Sequence, residues 1–316
     1  MGRERVEKCK KFLESNFHCL KNARACAIIS LQNKKSEREK RKMKFLTDMH
    51  THSTYSHDGR SDLKTMLSCA QKQGLAFYGV SEHFDYDYVL TNFSKQEREK
   101  MEGFNPDAYF HDGRHLQEDY AGVMNVIIGA EFGYSDDVAV QRRYQETVKK
   151  YAPDYVINSV HGIDGTDYYY CKTGADKATA YGEYLSLIRR SLDAPYPYDI
   201  VGHIGYVARY ALFEDKSFDL TTFGAQIDDI LQTIIKKGKI LEVNSANKQL
   251  LQRTLPSENI IKRYFELGGR KVSFGSDTHD TLRIADKRAE VVEMLKGIGF
   301  TYLIVPCRGE HIKVEI

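Results

Sequence analysis

Residues 45–82 read FLTDMHTHSTYSHDGRSDLKTMLSCAQKQGLAFYGVSE. The stretch opens on a short run of strand-forming residues, Phe45–His50, and turns through Ser, His, Asp and Gly. It then takes up helical spacing over Leu63–Gln73 and ends in a second extended run, Ala76–Glu82. Strand, helix and strand in that order give parallel pairing through a helical crossover. The same rhythm continues to the end of the chain. Further strand-like runs occur at Val126–Phe132, Asp154–Val160, Asp199–His203, Ile240–Asn244 and Lys271–Gly275. Helical spacing fills the intervals at Val140–Tyr151, Ala178–Arg190, Phe223–Lys237, Ser257–Leu267 and Arg283–Leu295. Pro256-Ser257 and Gly268-Gly269 bracket one of these helices with start and stop signals. Seven such units in one run, with no linker between them, predict a single α/β domain closed or nearly closed into a barrel. The longer, more polar stretch Asn92–Gly122 is expected to be a loop or helical insertion over the site. Phe300–Val305 and His311–Ile316 are expected to close or flank the barrel.

The 316-residue length allows two ordinary domains or one large α/β domain and is too great for a small disulfide-stapled fold. At 41% hydrophobic residues the chain can fill a substantial core, which excludes a largely disordered protein. No run approaches the roughly 18 apolar residues of a membrane helix. The net charge of +2 hides an asymmetry: residues 1–43 hold 13 basic and 5 acidic residues, so they carry +8 and the remainder −6. The basic charge thus belongs to an N-terminal extension, and residues 44–316 form an acidic domain with no broad positive face for nucleic acid. The extension, with its charge run Lys34–Lys44, is expected to be a peripheral or disordered segment, or to precede a native start at Met43; a nucleic-acid-binding arm is the sharper alternative. Cys9, Cys19, Cys26, Cys69, Cys171 and Cys307 are scattered without a CxxC pair and read as reduced thiols. The apolar patch Ala25–Leu31 is too short and too late for a secretory signal, so a cytoplasmic location is expected.

Chemically distinctive residues end nearly every predicted strand. His50 and His52, continuing to His57 and Asp58, follow the first; His83, Glu131, His161 and His203 follow the next four; Asn244 ends the sixth; Asp277 and His279 follow the seventh. In parallel α/β barrels this is the rim where active sites are assembled. Seven of the eleven histidines fall here. An H-x-H pair on extended backbone points both rings to one side, so His50 and His52 can share an ion; Asp277 and His279 have the same spacing. Imidazoles and carboxylates are ligands of Zn²⁺, Mn²⁺ and Fe²⁺. Nine candidates exceed what one ion can use, which predicts two or three divalent ions and a hydrolytic reaction on a phosphate ester or an amide-like bond. Arg209, six residues after His203, and Arg253, in the loop after the sixth strand, favour phosphate, because a guanidinium fork matches its oxygens.

These residues carry a family resemblance. D-M-H-T-H-S-x-x-S-H-D-G at 48–59, S-E-H-F-D at 81–85, G-A-E-F-G-Y at 129–134, S-V-H at 159–161, G-H-I-G-Y at 202–206, the Glu242–Asn244 region and G-S-D-T-H at 275–279 resemble the PHP (polymerase and histidinol phosphatase) superfamily, in its order. Within it the chain most resembles the stand-alone histidinol-phosphate phosphatases. The resemblance implies a distorted (β/α)7 barrel of TIM-like type with a trinuclear centre. One ion would take His50, His52, Glu131 and Asp277; a second would share Glu131 and add His161 and His203; the third would use His57, His83 and His279. Arg209 and Arg253 match positions that grip the substrate phosphate. The implied reaction is hydrolysis of L-histidinol phosphate, a small-molecule ester, to L-histidinol and phosphate in histidine biosynthesis. A metal-bridging hydroxide would attack phosphorus directly. Asp58 and His83 are candidates for passing a proton to the leaving alkoxide; Asp58 could instead orient an imidazole. Many relatives carry an acidic residue where this chain has Gly205, which bears on substrate preference. Of the remaining histidines, His18 and His311 are expected at the surface, while His111 and His115 lie in the insertion, where they could approach substrate.

A PHP nuclease or nucleotide phosphoesterase is the alternative enzyme. The acidic charge of residues 44–316 and the lack of an appended nucleic-acid module oppose it. A non-catalytic module is opposed by the complete set of ligand-type residues, since degenerate modules lose theirs.

Overall fold

Strand and helix alternate where the apolar spacing changes from every second residue to every third and fourth. The computed structural model describes residues 46–88, 94–170, 176–246 and 254–316, so the 1–43 extension, Cys171 and Arg253 lie outside the described residues. β1 (Leu46–Asp48) leads through α1 (Leu63–Lys72) to β2 (Leu75–Val80) and β3 (His83–Phe84). α1 starts where Asp62 accepts the Thr65 N–H at 2.9 Å, and Leu63, Met66, Leu67 and Ala70 form its buried stripe. The insertion is helical: α2 (Lys95–Gly103) opens on a reciprocal Ser94–Glu97 capping box, and α3 (Pro106–Asp119) on Asn105 followed by Pro106.

β4 (Asn125–Ile128), β5 (Ala130–Gly133), α4 (Val138–Tyr151) and β6 (Val156–Ser159) come next. A small antiparallel pair, β7 (Gly162–Ile163) and β8 (Thr166–Asp167), precedes α5 (Lys177–Ser191), β9 (Ile200–Val201) and the short α6 (Tyr206–Tyr210). The chain ends with α7 (Leu220–Lys236), β10 (Ile240–Asn244), α8 (Glu258–Glu266), β11 (Val272–Gly275), α9 (Arg288–Ile298) and the hairpin of β12 (Tyr302–Cys307) and β13 (Glu310–Glu315). α9 begins five residues later than its spacing predicts. Ala285 and Lys287 take positive φ there, and the Ala285 N–H donates to the buried Asp48 at 2.8 Å, a tertiary bond that overrides local helix preference.

Outside the two hairpins all strand pairs are parallel. They form a three-stranded sheet, β1-β2-β4, and a six-stranded sheet, β11-β10-β9-β6-β5-β3, rather than one closed ladder. The break falls at Gly129, between β4 and β5. A Cβ there would overlap the ring of Tyr155, whose hydroxyl donates to Met49 O at 2.8 Å. Backbone bonds still join the two sheets, Gly129 N–H to Val80 O at 2.8 Å and Glu131 N–H to Glu82 O at 3.0 Å.

The strands bury both faces, as parallel sheets must. Phe77, Ile127, Ile157, Ile200 and Ile240, one from each of five strands, pack with Met49 and Tyr155 into an inner apolar cluster. Ile304, Val305 and Val314 of the C-terminal hairpin join that cluster. The last two strand-like runs therefore flank the parallel strands as a hairpin of their own. This packing leaves the C-terminal ends of the parallel strands clear for the polar residues.

Candidate metal centre

Each chemically distinctive residue projects from a strand end. His50 and His52 follow β1, His83 begins β3, Glu131 lies on β5, His161 follows β6, His203 follows β9, and Asp277 and His279 follow β11. Thr51 alternates to the other side, donating its hydroxyl to Gly79 O at 2.8 Å, so His50 and His52 face inward with ring centroids 5.0 Å apart. Glu131 is the hub. Its Oε1 lies 3.0 Å from Nε2 of both His161 and His203; its Oε2 lies 3.1 Å from His50 Nε2, 3.5 Å from His52 Nε2 and 3.0 Å from His83 Nδ1. Asp277 Oδ1 stands 3.8 Å from His50 Nε2 and 3.5 Å from His52 Nε2. Four groups have converging ligand atoms: His50, His52 and Glu131; His50, His203 and Asp277; His83, Glu131 and His161; and His52, His83 and His279. Eight of the nine residues singled out from the sequence thus come together. His57 belongs to none of these groups, although its ring is 5.6 Å from that of His83 and it lines the same pocket.

Other carboxylates aim these rings. His50 Nδ1 is 2.6 Å from Glu242 Oε1, while Glu242 Oε2 accepts the His203 N–H at 2.6 Å. His161 Nδ1 is 2.8 Å from Asp85, which turns Nε2 toward Glu131. Glu82 accepts the N–H and hydroxyl of both Ser53 and Ser56, at distances from 2.5 to 3.1 Å, pinning the loop that carries His52 and His57. The sequence places Glu82 with His83 at a strand end, and Glu82, Asp85 and Glu242 inside the family motifs, but assigns none of the three a ligand or orienting role. The two-residue spacing from His83 to Asp85 was the available signal. Asn244 pairs through its backbone with Leu255, and its Oδ1 accepts the Ala246 N–H at 2.8 Å.

The electrostatics follow from burial and crowding. Burial would raise the Glu131 carboxyl, but the charges of His50, His161 and His83 hold it well below the usual range. Burial opposes protonation of His50, yet Glu131, Glu242 and Asp277 carry it well above an ordinary imidazole. Against the same burial, Glu131 and Asp58 push His83 up to about 9. His52 goes the other way, well down, through burial and the adjacent His83 and His279.

His50 Nε2, His52 Nε2, His83 Nδ1 and Glu131 Oε2 are all buried and make no hydrogen bond. Buried polar atoms without partners are costly, and nitrogen and carboxylate oxygen are the donors that divalent transition ions take. The residues present therefore fit bound cations.

The cluster opens into a cavity of about 300 Å³. Arg209 lines it, partly buried, with its buried Nε and Nη2 donors unsatisfied and Nη2 3.7 Å from Asp277. Its guanidinium lies 5.0 Å from the Tyr206 ring centroid. α6, which carries Arg209, is capped by Gly205 with φ 110, a left-handed conformation that favours glycine. Asp58, partly exposed, pairs with His279 Nε2 at 2.9 Å and stands 3.8 Å from His83 Nε2. Desolvation opposes its ionisation, but His279 and His83 hold its carboxyl well below the usual range. His111 and His115 sit together on the exposed face of α3, Nε2 to Nε2 3.2 Å, and do not line the cavity. His311 is partly buried in the hairpin.

The sequence profile of the PHP domain matches residues 48–246, which include His50, His52, His83, Glu131, His161 and His203. The chain belongs to the PHP domain family. Among curated relatives in this family, a probable histidinol-phosphatase of Thermotoga maritima is 29% identical over 261 residues, 82% of this chain and 95% of that one. A probable histidinol-phosphatase of Clostridium acetobutylicum is 28% identical over 238 residues, 73% of this chain and 86% of that one. Among solved structures, the histidinol phosphate phosphatase of Lactococcus lactis, complexed with zinc, L-histidinol and phosphate, superposes with a TM-score of 0.71 at 25% identity, covering 85% of this chain and 99% of that one. A structure from Listeria monocytogenes shares the fold, with a TM-score of 0.64 at 19% identity over 78% of this chain and 99% of that one. No helix of the described residues is long and apolar enough to cross a membrane.

Proposed function

We propose that this PHP-domain protein hydrolyses L-histidinol phosphate to L-histidinol and phosphate. The observation that carries the reading is Glu131 ringed by five imidazoles beside an arginine with two buried, spare donors. The names of relatives 27–29% identical over most of the chain supply the substrate. Two or three divalent ions would be held by His50, His52, His83, Glu131, His161, His203, Asp277 and His279, with His57 at the margin; zinc is the ion of the Lactococcus lactis complex. Ions so held acidify water and neutralise charge on a phosphoryl oxygen.

This chain's own residues do the rest. Arg209 places a guanidinium where the phosphoryl oxygens gain charge, and Arg253, outside the described residues, is the second arm that the family resemblance assigns. Asp58, an ionised carboxylate in reach of His279 and His83, can take up the proton that the attacking water sheds and hand it to the departing alkoxide, or it orients the two rings. Glu242 and Asp85 fix the ring orientations of His50 and His161. Water attacks phosphorus in line, without a covalent enzyme intermediate.

We also read the scaffold, residues 44–316, as one domain, a distorted (β/α)7 barrel. Its support is the bonding between first and last parallel strands: Met49 N–H to Phe274 O at 2.9 Å, Asp277 N–H to His50 O and His52 N–H to Thr278 O, both at 2.8 Å. A biosynthetic substrate of this kind also fits a cytoplasmic enzyme.

The test is phosphate release by the full-length protein loaded with Zn²⁺ or Mn²⁺. L-Histidinol phosphate is expected to be preferred over glycerol phosphate, nucleoside monophosphates and oligonucleotides. Equal rates across the esters would remove the substrate assignment, and oligonucleotide cleavage alone would favour the nuclease reading.

A further inference from the structure

The cavity has a second polar end that the reaction leaves unused. The turn of β7 and β8 folds back beside the centre, with Tyr168 N–H donating to His161 O at 3.0 Å, and brings Asp167 to the cavity wall. Asp167 is only 8% exposed. Its carboxylate accepts the Tyr88 hydroxyl at 2.7 Å, the Tyr169 N–H at 2.7 Å and the Tyr206 hydroxyl at 3.3 Å. Among the described residues no lysine, arginine or histidine is in ion-pair contact with it. Asp48, which the charge of Arg288 reaches, and Glu82 are also buried carboxylates, but backbone and serine donors enclose them and neither lines the cavity. A buried carboxylate normally has a countercharge, and one facing a ligand cavity can take it from the ligand.

Its position says where on the ligand that charge lies. The Tyr206 ring stands between the two ends, with centroids 5.1 Å from His203 and 5.5 Å from His161 and the Arg209 guanidinium 5.0 Å away. A phosphate held by the centre and Arg209 therefore leaves the neighbouring part of the molecule one aromatic ring from Asp167. We propose that Asp167 is a specificity-determining residue that receives the substrate's ammonium group, selecting phosphate esters with a protonated amine close to the ester carbon. The assignment rests on the phosphatase reading, since L-histidinol phosphate carries its amine on the carbon next to the ester-bearing one. It also supplies, from another loop, a carboxylate that Gly205 cannot.

The full-length, metal-loaded protein and its Asp167→Asn variant are compared on L-histidinol phosphate and on the desamino analogue imidazolylpropyl phosphate. The unsubstituted protein is expected to prefer the amine-bearing ester by about ten- to a hundred-fold in kcat/KM, mostly through KM. The variant is expected to lose that preference and to keep its rate on the desamino ester within about twofold, a split that a merely structural role would not produce. An intact preference in Asp167→Asn, or an equal fall on both esters, overturns the proposal. L-Histidinol binding by calorimetry is the independent readout. If the unsubstituted protein splits neither ester, the phosphatase reading fails by itself; tenfold weaker L-histidinol binding in the variant would still uphold Asp167, and equal or undetectable binding in both would overturn it. If Asp167→Asn does not fold, Tyr88→Phe replaces it: a reduced preference upholds the proposal and an unchanged one overturns it.

Discussion

Glu131 and Asp154 are both buried carboxylates, one at the C-terminal rim and one at the start of the neighbouring strand. Asp154 is saturated. It takes Arg114 Nη1 at 2.7 Å, Gln117 Nε2 at 2.5 Å, the Ile128 N–H at 3.0 Å and Arg308 Nε at 2.6 Å. Glu131 has one hydroxyl, Ser159 at 2.6 Å, and otherwise faces imidazoles, with Oε2 left without a hydrogen bond. Between them lies the apolar cluster of Ile157, Ile200 and Ile240 with the hairpin's Ile304 and Val305, packed on the hydrogen-bonded strands. One end of the strands is satisfied and stabilising; the other is left incomplete so that it can hold something. The division matches the separation of stability and activity between the two faces of α/β barrels.

The comparison can be broken in several places. Glu131→Gln is expected to have the largest effect, lowering kcat/KM by about a thousandfold or more and depleting bound metal, as chelation should in the parent protein. Phosphate release and elemental analysis would show it. The thermal midpoint of the metal-free variant should fall by less than that of Asp154→Ala, since the imidazoles that Glu131 keeps protonated can shed their protons once its charge is gone, whereas a guanidinium cannot. A large drop in that midpoint would erase the contrast with Asp154.

Asp154→Ala should do the reverse. Removing the carboxylate leaves the buried Ile128 N–H and the Gln117 amide without their acceptor and frees Arg114 and Arg308, and it is expected to cost about 3 kcal/mol in urea unfolding, with the rate per folded molecule unchanged. Glu242→Gln sharpens the contrast within the rim itself. It should weaken metal affinity by about 10- to 100-fold, read by chelator competition, by loosening the His50 ring while the fold persists. Asp62→Ala removes the α1 cap and should cost about 1 kcal/mol of stability in a thermal melt, leaving metal affinity alone.

Much of the fold was legible, because the change of apolar spacing from strand to helix is local. α1, α4, α5 and α7 and the strands before and after them lie within a few residues of where the pattern predicts. What was not legible depends on distant partners. The late start of α9 follows from the bond of Ala285 to Asp48, and the division of the sheets at Gly129 from the Tyr155 ring. Within the site, strand-end histidines stood out by type and position; Glu242 and Asp85 lay inside the family motifs without an assigned role, and Asp167 looked like an ordinary carboxylate.

Residue type and spacing by themselves determined a parallel α/β chain with imidazoles and carboxylates at its strand ends, because alternation along a strand and periodicity along a helix need only near neighbours. Only the tertiary structure decided that Glu131 is the hub, that Glu242 aims a histidine 192 residues away, and that Asp167 faces the cavity beside Tyr206. Those facts depend on which side chains meet once the helical crossovers have brought distant strands side by side, and no local pattern encodes that meeting.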